Sequence, residues 1–98
     1  MARNKAALHK TYLDTLHKTY IAKNADYGDS FGESIKTFGL VAGVVRIGDK
    51  YHRLESLLRK GKAQVKDETI KDTLIDMANY CVMLAMEMEG EDGGAPCD

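Results

Sequence analysis

Apolar residues in this chain recur at three and four positions, the spacing of a helix face, while the strict alternation of a half-buried strand is nearly absent. From Asn4 to Asn24, Leu8, Tyr12, Leu13, Leu16 and Tyr20 form one stripe, with Asn4 placed to cap the helix start. Lys23 falls on that same stripe. It either snorkels past the helix end, where a cation suits the dipole, or faces a ligand. A turn-rich segment, NADYGDSFGESIKTFG, follows, punctuated by Gly28, Gly32 and Gly39. Within it Asp29 or Ser30 can cap a short helix running through Ile35, Lys36 and Phe38.

The next helix spans Leu40 to Lys60 and stops at Gly61, a good residue for a helix end. Its apolar stripe is Leu40, Val44, Ile47, Tyr51, Leu54 and Leu58, and Arg46, Asp49, Lys50 and Arg53 lie opposite. After a short connection, Asp67 reads as the cap of a last helix reaching Glu89. Its inward stripe is Ile70, Leu74, Met77, Cys81, Leu84 and Met88, and from Tyr80 onward it is apolar on nearly every side. The pattern predicts an all-α fold: a small bundle of three long helices and a short one, completed by association of chains because a chain this short rarely covers such faces alone. Residues 1–89 form one domain, and 90–98 an acidic, glycine-rich, flexible tail.

Composition narrows the function. The chain has 98 residues, 30% of them charged and 44% hydrophobic, which is globular rather than disordered. A formal net charge of −1 argues against broad binding to duplex nucleic acid. No apolar run is long enough to span a bilayer and no signal peptide is evident. Cys81, expected in a buried helix, and Cys97, in the tail, make a poor disulfide pair, so a reducing cytoplasm is expected. His9, His17 and His52 are scattered and read as ordinary helix residues.

The candidate chemistry lies in a polar stripe on the last helix. Glu68, Asp72, Asp76 and Asn79 are spaced four, four and three apart and share one face, which Met83 and Met86 continue. Methionines on a face imply a cover, so the acids can converge on one cation. A magnesium ion takes hard oxygen ligands and bridges phosphates, and Asp49 from the preceding helix can add a ligand to Asp72, Asp76 and Glu68. Asp49 can pair with Arg46 or Arg53 on a solvated, self-neutralising face, or Arg46, Lys50 and Arg53 leave a surplus of positive charge that suits a phosphate. The aromatics Tyr27, Phe31 and Phe38 are expected to pack back as lids, with base stacking as the alternative.

The blocks KNADYGDSF, RIGDKYHRLESL and DETIKDTLIDMANY, in that order, resemble the nucleotide modification associated domain family of phages and bacteria. That family is similar to the MazG-like and dUTPase-like all-α nucleoside triphosphate pyrophosphatases. The resemblance implies an oligomeric helical bundle holding a nucleotide between helices. It assigns Lys23, Asp26, Tyr27 and Gly28 to one block, Arg46, Asp49, Lys50 and Arg53 to a second, and Glu68, Asp72, Asp76, Asn79 and Tyr80 to a third.

The pyrophosphatases carry Glu-x-x-Glu and Glu-x-x-Asp pairs; this chain has Asp49 and Glu55 on one helix, and Glu68 and Asp72 four apart on the next. Two functions follow. In the first, magnesium-dependent hydrolysis of a nucleoside triphosphate or modified nucleotide releases pyrophosphate. Glu68 and Asp72 are then catalytic, and Lys23, Tyr27, Arg46, Lys50, Arg53, Asn79 and Tyr80 bind substrate. In the second, a phage-type binding protein sequesters a nucleotide, or a cyclic-nucleotide or ADP-ribose-derived signal, without cleaving it. The departure from the acid pairs favours binding, but the hydrolytic superfamily that the resemblance implies puts hydrolysis first and sequestration as the alternative. A helical interaction module without a small ligand is a third possibility.

Overall fold

A computed structural model describes residues 4–60 and 67–89, in four helices with no strand among the described residues. Helix α1 is Lys5–Tyr27, α2 Ser30–Phe38, α3 Val41–Lys60 and α4 Asp67–Glu87. The expected Gly61 stop, Cys97 and the tail lie outside the described residues.

Caps set the boundaries. The Asn4 side chain accepts from Ala7 N–H at 3.0 Å and starts α1. Nothing between Asn24 and Tyr27 breaks a helix, so α1 runs three residues beyond the periodic stripe and stops at Gly28. Gly28 has φ +70°, a conformation that costs side-chain-bearing residues about 1–3 kcal/mol, and its N–H donates to Asn24 O. Gly39, at φ +88°, ends α2 in the same way through Ile35 O. At the start of α2, Asp29 accepts from Gly32 N–H at 3.2 Å, settling the choice between Asp29 and Ser30.

Three cross-helix contacts fix how α3 and α4 pair. Gly43 faces Leu84, Arg46 reaches Tyr80 and Lys50 bonds Asp76, so the numbers rise on one helix as they fall on the other. The two helices are antiparallel and close. A Cβ placed on Gly43 would come within 2.6 Å of a Leu84 methyl. Helix α2 lays Phe31 and Ile35 against the pair, and α1 crosses α4, where the Asn79 amide donates to Leu16 O at 3.1 Å.

The face of α3 that turns inward differs from the apolar stripe expected. Gly43, Arg46, Ile47, Lys50, Leu54 and Leu57 are covered, whereas Leu40, Val44, Tyr51 and Leu58 are exposed. Close approach at the side-chain-free Gly43 explains the rotation, with the alkyl stems of Arg46 and Lys50 filling the flanks. On α4, Leu74, Cys81 and Met88 of the expected stripe are exposed, while Thr73 is buried with its hydroxyl donating to Thr69 O.

Helix α1 buries none of its residues. Leu8, Tyr12 and Leu13 stay exposed because α1 rests on α4 around Leu16 and Lys23 and has little else beside it. Among the described residues, the buried large hydrophobics are Phe31 and Ile35, a thin core for so many apolar positions. No described helix is long and apolar enough to cross a membrane.

Candidate functional site

The C-terminal end of α1, the start of α2, and the middles of α3 and α4 enclose an open cleft of about 560 Å³, counting its mouth. Each helix contributes for a local reason. Extension of α1 to Tyr27 brings Tyr20, Lys23, Asn24 and Tyr27 onto one side, at helical spacings of three and four. The turn at Gly28 then drops Phe31 to the cleft floor, where it is 4% exposed.

On that floor Phe31 and Tyr80 stack with ring centroids 5.6 Å apart and planes 20° from parallel. The Arg46 guanidinium stands 5.9 Å from both ring centroids, a cation–π geometry that fixes a long side chain at the cleft wall. At the rim, Tyr27 is 73% exposed, its ring available to a planar ligand.

The three loop aromatics therefore part company. Phe31 packs back as a lid on the core, whereas Tyr27 and Phe38 do not.

The electrostatic centre is Asp76. Lys23 Nζ from α1 donates to its Oδ1 at 3.1 Å, and Lys50 Nζ from α3 to its Oδ2 at 3.4 Å. The carboxylate is three-quarters covered, so the pairing joins three helices at a partly desolvated point. It accounts for the middle of the polar stripe, which α1 covers: Lys23 meets Asp76 and the Leu16 carbonyl meets Asn79, while Asp72 and Met86 on the same face stay exposed.

Behind this ion pair lies a second open hollow lined by Thr15, Thr19, Asp72 and Ile75, with Lys23 and Asp76 as the shared wall.

The candidate residues thus separate. Lys23, Tyr27, Arg46, Asp76, Asn79 and Tyr80 line the cleft, and Lys50 reaches it through Asp76. Asp72 faces the neighbouring hollow. Asp49 and Arg53 are exposed on α3 and line neither cavity. Asp49 pairs with neither Arg46 nor Arg53. Glu68 belongs to the first turn of α4, and its side chain is outside those described.

Magnesium is commonly held by one or two carboxylates together with waters and substrate phosphates. Among the described residues no three His, Cys, Asp or Glu side chains gather at one point, and both oxygens of Asp76 already accept from lysines. The described acids are dispersed rather than clustered. The convergence of Asp49, Asp72 and Asp76 expected from spacing is not found, because Lys23 and Lys50 take up Asp76 while Asp72 turns toward the other side of α1.

Tyr20, Asn24 and Ser30 also line the cleft and are not among the site residues singled out from the sequence. For Tyr20 and Asn24 a signal exists: they share a helical face with Lys23 and Tyr27 once α1 is carried to Gly28.

The family model described as Nucleotide modification associated domain 1 matches residues 23–88, from the first cleft lysine to the end of α4. No curated protein and no solved structure matches the chain.

Proposed function

Since the chain belongs to the family described as Nucleotide modification associated domain 1, we propose that its cleft binds a nucleotide and holds it without cleaving it. One observation carries this reading. Lys23 and Lys50, from two helices, pair with a single acid, Asp76, while Arg46 stands on the wall of the same cleft over the Phe31 and Tyr80 rings, with the exposed Tyr27 ring at the rim. Cations so placed take phosphate oxygens through charge-assisted hydrogen bonds. Tyr27 would stack on the base, a contact worth about 1–3 kcal/mol. Asn24 and Ser30 would offer polar atoms to the sugar or base. Arg46, steadied by Phe31 and Tyr80, would lose little freedom on binding.

Magnesium-dependent hydrolysis to a monophosphate and pyrophosphate is the second reading. It draws on Asp72 and Asp76, which follow Glu68 along one face of α4. One experiment separates the two. The purified protein is incubated with nucleoside triphosphates, cyclic nucleotides and ADP-ribose-type compounds, with and without magnesium, and free ligand and products are followed by chromatography. The binding reading predicts a compound that leaves solution and returns intact on denaturation. Magnesium-dependent release of monophosphate and pyrophosphate would establish the hydrolytic one.

A further inference from the structure

The cleft carries its own anion. Each oxygen of Asp76 accepts from a lysine of a different helix, while Arg46 has no carboxylate partner among the described residues. Two lysines on one carboxylate, with Arg46 on the cleft wall, leave a formal surplus of two positive charges among these four groups. An ammonium has three donors, so a ligand oxygen can join Lys23 or Lys50 without expelling Asp76. A phosphate bound there lies within a few ångströms of a carboxylate that stays in place. Each further negative charge on the ligand is then attracted by the lysines and repelled by Asp76.

Resting on the nucleotide-binding reading, we propose that Asp76 is an internal counter-anion that sets the charge of the nucleotide the cleft accepts. The class it selects carries about two negative charges on its phosphates, as one monoester or as two diesters, rather than a triphosphate chain. The position of Asp76 on α4 makes this possible. Thr73, one turn before it, is buried against the bundle, and Asn79, one turn after it, is tied to Leu16, so the carboxylate is held between both lysines. A carboxylate about 5 Å from a bound phosphate, in a medium between protein and water, changes affinity by a factor on the order of ten per ligand charge.

The test is a calorimetric titration at low salt in the presence of a chelator, which keeps the phosphates bare. The ligands are the mono-, di- and triphosphate of one nucleoside and a cyclic dinucleotide of the same base, and the proteins are wild type and Asp76→Asn. Wild type is expected to bind the monophosphate and triphosphate within about threefold of each other, because two ligand charges already match the surplus and further ones find no unmatched cation. Asp76→Asn raises the surplus by one, so the triphosphate, which has charge left over, is expected to tighten about tenfold more than the monophosphate. A cyclic dinucleotide bound as well as the monophosphate supports selection by charge. One bound far more tightly, with an unchanged triphosphate ratio in Asp76→Asn, overturns it in favour of selection by shape.

A wild-type preference for the triphosphate of more than about tenfold overturns the proposal without the variant, so the test stands even if Asp76→Asn fails to fold. If nucleotides bind both proteins with the same charge dependence, Asp76 has no such role and the binding reading survives. If no nucleotide binds either protein, the reading beneath the proposal fails with it.

Discussion

Lys23 on α1 donates to Asp76 on α4 at 3.1 Å, across 53 positions of sequence. The contact joins the one helix that buries no residue to the pair that forms the core. Lys23 is more than half exposed, so solvent screens the pair and its contribution to folding is at most about 1 kcal/mol. A double-mutant cycle with Lys23→Ala and Asp76→Ala, read by urea unfolding, should give a coupling below about 1 kcal/mol. A coupling of several kcal/mol would mean that the pair is a structural clamp rather than a binding feature.

The Asn79 amide, which donates to Leu16 O, is the other tie between α1 and α4. Asn79→Ala should cost about 1 kcal/mol of stability. The sharper expectation concerns where the loss falls. Hydrogen exchange should quicken across α1 and much less in α3 and the centre of α4. Uniform loss of protection would show that α1 folds and unfolds with the rest.

Two glycines on α3 should respond oppositely to substitution. A Cβ at Gly48 meets nothing within 4 Å, so Gly48→Ala should stabilise the helix by about 0.5–1 kcal/mol. At Gly43 the same propensity gain opposes displacement of Leu84, and Gly43→Val should destabilise by about 1–3 kcal/mol through overpacking. Thermal melts of the two variants check the close α3–α4 approach. Equal behaviour at both positions would place the helix contact elsewhere.

Tyr27 is largely exposed and makes little packing contribution, so Tyr27→Ala should change stability by less than about 0.5 kcal/mol. If its ring stacks on a base, the same change should weaken nucleotide binding by about 1–3 kcal/mol. Parallel melting and binding measurements separate these effects. Unchanged affinity would remove Tyr27 from the site.

The exposed apolar residues call for partners. Val44, Tyr51 and Leu58 on α3 and Leu74, Val82 and Met86 on α4 are each about half exposed, an unusual concentration for a protein that remains a monomer. Sedimentation is expected to find a multiple of 10.9 kDa. Tyr51→Glu or Leu58→Glu should lower that mass if α3 lies in the contact. A monomer at every concentration would contradict the expectation.

Local structure was legible in the sequence because its causes are local. Asn4, Asp29, Gly28 and Gly39 act within a few residues, so the helices themselves can be read, although periodicity ends α1 at Asn24 rather than Gly28 and leaves the cap of α2 between Asp29 and Ser30. Which face turns inward is decided elsewhere. Helix α3 offers Leu40, Val44 and Tyr51 on one side and Gly43 on another, and periodicity selects the larger side chains. The fold selects Gly43, because Leu84 can approach only where no side chain intervenes. Arg46 and Lys50 follow it inward while Asp49 and Arg53 remain outside. The pairing of Asp76 with lysines from two other helices depends on that rotation, so spacing along α4 alone does not show it.

The most direct test of the account is a nucleotide titration of wild type beside a Lys23→Ala/Lys50→Ala double variant, with helical content checked by circular dichroism. If these lysines hold the phosphates, losing two charge-assisted contacts should weaken binding by about 100-fold or more. Equal affinity in a folded double variant would contradict the account and place the nucleotide outside this cleft.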